Sequence, residues 1–120
     1  MTIYRQIILE HAQNPKNQGH LKSPNSKAHV ANPLCGDEIT IEIERKGDNI
    51  KDIKFSGTGC IIMKASASLL TEKVKEIKDV NKIEKLGSSD LTKLLGGELT
   101  PSRQRCASLA LEAIKEAIQN

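Results

Sequence analysis

"ITIEIERKGDNIKDIKFSGTGC", residues 39–60, contains an alternation, a turn and a second alternation. Ile39, Ile41 and Ile43 interleave with Thr40, Glu42 and Glu44, the period-two pattern of a strand with one buried and one wet face. Gly47-Asp48-Asn49 supplies a hairpin turn, and Ile53 and Phe55 resume the alternation on the way back. The stretch therefore reads as an antiparallel pair. It ends in "SGTGC", 56–60, where two glycines break the strand and deliver Cys60 to a new element.

Working outward, Met63, Ala67, Leu70, Val74 and Ile77 recur at helical steps and predict a helix that runs to about Lys78. Two shorter helices follow at 80–86 and 89–95, the second with Ser88 or Ser89 as cap and Gly96-Gly97 as terminator. Thr100 and Pro101 suit the cap and first position of a final helix, on which Cys106, Leu109, Ala113 and Ala117 share a stripe. Upstream of the hairpin, residues 2–13 predict a helix with Ile3, Ile7, Ile8 and His11 on one face, Thr2 as cap and Asn14-Pro15 as stop. A loop or arm rich in Asn, Pro, Lys, Gly and Ser runs to about Lys27. Residues 28–32 suit a short strand, and Pro33 and Gly36 frame a turn carrying Cys35. No linker or repeat divides the chain. The expected organisation is one domain over 1–120: helix and arm at 1–27, sheet at 28–56, helical part at 60–120.

At 120 residues the chain is long enough to bury a core without staples. That core must be aliphatic, because Tyr4 and Phe55 are the only aromatics, which also disfavours base stacking as a binding mode. Eighteen basic and fifteen acidic residues are interspersed and leave a net charge of +3. Such a balance points to neither nucleic acid nor membrane. The N-terminus is charged and amphipathic rather than signal-like, and no apolar run is long enough to span a bilayer, so the expected location is cytoplasmic. In that reducing compartment three cysteines suggest metal or thiol chemistry rather than a disulfide framework.

Cys35, Cys60 and Cys106 are too far apart in sequence for a zinc ribbon or a thioredoxin-type pair. Their placement is more informative: each falls near an element end, where loops and helix starts converge. A helix start also offers unpaired backbone donors to an anionic sulfur at Cys60. Three sulfurs leave a tetrahedral ion one ligand short, and Asp37, separated from Cys35 by Gly36 alone, is a natural fourth. The plainer alternatives stand beside this one. Cys106 on an apolar stripe also fits a buried core position, and Asp37 after glycine also fits ordinary turn chemistry.

"NPLCGDEITIEI", "GTGCIIMKASASLLTE" and "PSRQRCASLALEAI" resemble the three cysteine motifs of the IscU/SufU/NifU family of iron–sulfur cluster assembly scaffolds. The opening "YRQIILEHAQNPKNQG" is similar to that family's first helix and loop, so the likeness runs from about residue 3 to the end. It implies an α+β fold with a small antiparallel sheet of about three strands and helices packed on one face. It implies a surface site of Cys35, Asp37, Cys60 and Cys106 that binds zinc in a resting form, takes up iron, or holds a transient [2Fe-2S] cluster. It implies as partners a cysteine desulfurase of the IscS/SufS type, which supplies sulfur as persulfide, and acceptor apoproteins. The chain is thereby expected to be a scaffold or sulfur acceptor rather than an enzyme.

Within that family the branch is mixed. IscU-type members carry a histidine before the third cysteine and an LPPVK segment for an Hsp70-type chaperone, where this chain has Arg105 and "LTPSR" at 99–103. Arg103 resembles the arginine of SufU-type members, yet the insertion typical of those between the second and third cysteines is missing. Three functions compete: a cluster scaffold, a SufU-like zinc-dependent sulfur acceptor that activates the desulfurase, and a structural zinc interaction module.

Ligand chemistry explains the composition. Thiolates suit both iron–sulfur clusters and zinc, and one harder carboxylate among them weakens the hold and eases transfer. Lys64, one turn beyond Cys60, and Arg103 and Arg105, flanking Cys106, are the cations expected to offset the anionic set, or else members of solvated helix faces. His11 is expected at the edge of the first helix, His20 in the loop and His29 in a strand, none as a ligand. Ser66 and Ser68 are read as small residues that let their helix approach the sheet.

Overall fold

The computed structural model describes residues 3–33, 36–97 and 99–119. Thr2 and Cys35 therefore lie outside the described residues. The elements run α1 (Ile3–Gln13), β1 (Ser26–Ala31), β2 (Glu38–Lys46), β3 (Asn49–Thr58), α2 (Ile61–Ile77), α3 (Val80–Ile83), α4 (Ser88–Leu95) and α5 (Pro101–Gln119). The three strands form one antiparallel sheet in the order β1-β2-β3. Ile41 pairs with Ala28 and Phe55 and Ile43 with Ile53, all of them buried, while buried Ile39 pairs with Val30 and Gly57. The alternation in the hairpin thus fixes which face the helices cover. α2 and α5 pack on that face, while α1 and α4 pack mainly on α2.

α2 is the centre of the helical layer. Its buried set, from Ile62 and Met63 through Ala65, Ser66, Ala67, Ser68, Leu70 and Thr71 to Val74, is far wider than the stripe its periodicity predicts. Small side chains make this possible, because neighbours approach α2 from several sides. Contrary to the expectation from their small size, Ser66 faces α5 and Ser68 faces α1 and the arm after it, rather than the sheet. The Ser66 hydroxyl donates to the Ala107 carbonyl of α5 at 2.6 Å, and Ser68 Oγ accepts the Lys16 amide at 2.8 Å and pairs with His11 Nδ1 at 2.7 Å.

The arm between α1 and β1 is fastened to the sheet. Asn17 takes a left-handed conformation, φ 62°, and its side chain bonds Thr71, Glu72 and Lys75 of α2. Its carbonyl accepts the Phe55 amide, and Gly19 N–H donates to the Phe55 carbonyl, so Gln18 bridges the outer edge of β3 in parallel. At the other end of that edge Asn49 bridges Asp79.

The face of β2 expected to be wet is partly covered. Glu42 is 4% exposed, because the arm crosses above it: His20 Nδ1 lies 2.7 Å from Oε2 and the Leu21 amide donates to Oε1. Burial pulls this carboxyl up, yet the bonds from His20 and Leu21 and the charge of Lys27 outweigh it, and the group sits below its ordinary range. His29, in β1, pairs with Thr40 across the ladder.

Element ends differ modestly from expectation. The first strand begins at Ser26 rather than 28, and the helix expected over 80–86 stops at Ile83. Gly87, not Ser88 or Ser89, occupies the cap of α4, where its N–H donates to the Asp90 carboxylate at 2.8 Å. Gly96 ends α4 in the left-handed conformation, as its position predicts. No helix among the described residues is long and apolar enough to cross a membrane.

Candidate metal centre

The site forms where the start of β2, the end of β3 and the beginnings of α2 and α5 meet. The turn before β2 is closed by the Asn32 amide to the Asp37 carbonyl and the Gly36 amide to the Asn32 carbonyl, with Gly36 at φ 75°. That geometry sets Asp37 just ahead of the first ladder pair. Opposite, Gly57 lies so close to β2 that an added Cβ would clash with the Glu38 carbonyl oxygen. Glycine there lets the two strands close at their ends and brings Gly59-Cys60 against Asp37. A Cβ on Gly59 would lie 3.3 Å from Asp37 Cγ and would clash with Met63 Cε. Asp37 therefore rests over a bare backbone, beside a buried methionine.

Cys60 occupies the N-cap of α2 and is exposed, without a side-chain cap bond. Cys106 stands in the second turn of α5, half-buried beside fully buried Ala107. Asp37 is 6% exposed, and its Oδ2 is sealed from solvent without a hydrogen-bond partner among the described residues. One oxygen of Asp37 and the sulfurs of Cys60 and Cys106 all lie within 4.8 Å of one another. Cys35, two residues before Asp37, is outside the described residues. The structure thus brings together three of the four side chains singled out in the sequence.

Donors that share a tetrahedral zinc stand about 3.3–3.8 Å apart, given bonds of about 2.3 Å to sulfur and 2.0 Å to oxygen. A spread of 4.8 Å is within one small rotamer adjustment of that arrangement. The orphaned Oδ2 says the same thing energetically, since a buried acceptor without a partner is costly and a cation supplies one. The donor set therefore fits a metal with affinity for sulfur and oxygen. Cys106 is half-buried and packs against the margin of the core while its sulfur stands beside Asp37 and Cys60, and Asp37 closes the turn before β2 at the same place.

Around the site, Lys64 is half-buried one turn into α2, and Arg103 and Arg105 are exposed on the first turns of α5, with no ion pair among the described residues. Ile61, 53% exposed, is the large apolar side chain next to Cys60. Gly59 and Met63, which shape the floor under Asp37, were not read from the sequence as part of the site. The signal available was the Gly-x-Gly spacing before Cys60, which marks a close backbone approach as well as a strand break.

Comparison with known proteins gives a consistent picture. The profile of the family described as NifU-like N terminal domain matches residues 3–120. A Bacillus subtilis protein named zinc-dependent sulfurtransferase SufU is 33% identical, covering 98% of this chain and 90% of its own. An Aquifex aeolicus protein named iron–sulfur cluster assembly scaffold protein IscU is 36% identical, over 98% and 74%. Among solved structures, a putative iron–sulfur cluster assembly scaffold protein for the SUF system from Fervidobacterium islandicum superposes with a TM-score of 0.77 over 94% of each chain at 22% identity, a likeness of fold.

Proposed function

Because this chain belongs to the NifU-like N-terminal domain family, we propose that it is an iron–sulfur cluster assembly scaffold. It accepts sulfur from a cysteine desulfurase, assembles a labile [2Fe-2S] cluster as cargo on Cys35, Asp37, Cys60 and Cys106, and passes it to acceptor apoproteins. The observation that carries this reading is the convergence of Asp37, Cys60 and Cys106 within 4.8 Å at the margin of the fold, with one carboxylate oxygen lacking a partner among the described residues.

Each residue has a part set by its chemistry. A thiolate of the site reaches the desulfurase persulfide and attacks its outer sulfur. The donor S–S bond breaks, a new one forms here, and the donor keeps its thiolate. Cys35 and Cys106 are the proposed acceptors. Electrons that convert sulfane sulfur to bridging sulfide come from a separate reductant. Asp37 contributes a harder, weaker ligand than a fourth thiolate, which suits cargo that must leave. Lys64, Arg103 and Arg105 offset the anionic donor set, and exposed Ile61 adds apolar surface beside the exit. Between cycles the same four residues would hold zinc, whose chemistry is to neutralise the thiolates and guard them from oxidation. The cytoplasm, where thiols stay reduced, suits such a cycle.

A second reading, a zinc-dependent sulfur acceptor that activates the desulfurase without building clusters, is favoured by Arg103 and by the SufU relative. One experiment separates them: anaerobic incubation with ferrous iron, cysteine and a desulfurase, followed by visible absorption and by transfer to an apo-ferredoxin. Cluster bands and transfer are expected. Persulfide on a cysteine by mass spectrometry with no cluster would select the second reading, and neither signal would remove both.

A further inference from the structure

The two helices that carry Cys60 and Cys106 are joined by a buried bond that neither cysteine makes. Ser66 is fully buried on α2, and its hydroxyl donates at 2.6 Å to the carbonyl of Ala107, the residue after Cys106 and itself fully buried. Within a helix the Ala107 carbonyl already has an acceptor role towards the next turn. The serine adds a second, lateral bond where water does not reach, and it fixes both the separation and the rotation of α5 against α2.

We infer that Ser66 is a positioning residue for the metal centre, setting the distance between the sulfurs of Cys60 and Cys106 through the Ala107 carbonyl. The inference rests on the reading of that centre given above. Ser66 lies six residues beyond Cys60, about 9 Å along the helix axis. Over such an arm a pivot of about 10° displaces a sulfur by about 1.5 Å, more than the roughly 1 Å by which the present spread exceeds the spacing zinc requires. A brace this close to one ligand and this far along the helix from the other governs whether the donors close on one ion.

Ser68 provides the control within the same helix. It is equally buried, but its hydroxyl serves the Lys16 amide and His11, on the side of α2 that faces α1. Ser66→Ala and Ser68→Ala each remove one buried oxygen, and only the first touches the helix of Cys106.

The test titrates metal-free, reduced wild type, S66A and S68A with cobalt(II), reading the thiolate charge-transfer and d–d bands, and then displaces cobalt with zinc against a competing chelator. Thermal melts of the same samples report folding. S66A is expected to stay folded, to bind roughly tenfold or more weakly and to show shifted d–d bands, while S68A keeps the wild-type spectrum and affinity whatever its melting temperature. Ser66→Thr, which retains a hydroxyl, should restore the wild-type spectrum. Equal metal behaviour in S66A and S68A, or an S66T spectrum matching S66A, overturns the inference and leaves the centre standing. Failure of the wild type to bind cobalt through thiolate overturns both.

Discussion

Replacing Asp37 with alanine should make the metal-free protein more stable. The carboxylate is 6% exposed, and its Oδ2 has neither solvent nor a donor among the described residues. A buried polar group left unpaired costs about 1–3 kcal/mol. Removing the side chain relieves that cost and gives up little apolar packing, so a gain of about 1–2 kcal/mol is expected. For a chain of this length each kcal/mol moves Tm by roughly 3–6 °C, placing the rise on the order of 5 °C. Zinc should reverse the advantage in part. At free zinc a hundredfold above its dissociation constant the wild type gains about 2.7 kcal/mol by linkage, whereas a variant with roughly tenfold weaker binding gains about 1.4 kcal/mol. The assay is thermal unfolding followed by circular dichroism, with reductant, first under chelator and then at buffered free zinc. If metal-free D37A melts at or below the wild type, Oδ2 finds a partner in solution and the idea of a carboxylate held ready for a cation fails. Equal zinc increments in the two proteins would show that Asp37 does not ligate.

Two further expectations concern other parts of the molecule. Glu42 is held below its ordinary value of 4.5 in the folded state, so its contribution to stability is fully present above that value and is lost as acid carries the pH down through the lowered one. Glu42→Gln should cost about 1 kcal/mol near neutrality, because the Leu21 amide then donates to a neutral acceptor instead of a charged one, with the His20 pair discounted since that ring is 73% exposed. The same substitution should flatten the fall in stability below about pH 4.5; urea titrations showing parallel pH profiles for both proteins would contradict the role assigned to the arm. Gly59→Ala forces a methyl against Met63, which is 1% exposed and has no solvent to turn into, and against Asp37. It should lower stability by about 1–3 kcal/mol and weaken cobalt binding as well, and unchanged cobalt affinity would mean that the floor under Asp37 plays no part in ligation.

Local signals carried the sheet and most of the site, and long-range ones were hidden. The isoleucine alternation at 39–43 is a property of neighbouring residues, so it determined face and register before any contact was known. The convergence of Asp37, Cys60 and Cys106 was legible because each sits at an element end marked by glycine or proline. Glu42 was misread as solvent-facing because what buries it, His20 and Leu21, comes from an arm about twenty residues earlier and leaves no trace in the pattern of β2. The directions of Ser66 and Ser68 were equally invisible. A small residue at helical spacing announces close approach, and only the packing of α1 and α5 around α2 says which neighbour approaches. Ser88 and Ser89 were preferred as caps on side-chain chemistry, whereas Asp90 satisfies the helix start from within and leaves the cap to Gly87.

The bridges that Gln18 and Asp79 make to β3 restrict how copies of this protein can associate through their sheets. Between those bridges lie residues 50–54, of which Ile50 already donates its amide to the Lys78 carbonyl, which leaves a short stretch with Lys51 and Lys54 at its two ends. Growth of a fibril by strand addition requires a donor edge and an acceptor edge on every subunit. A margin occupied in this way by its own chain is a poor acceptor, so strand addition on the β3 side of the sheet is disfavoured.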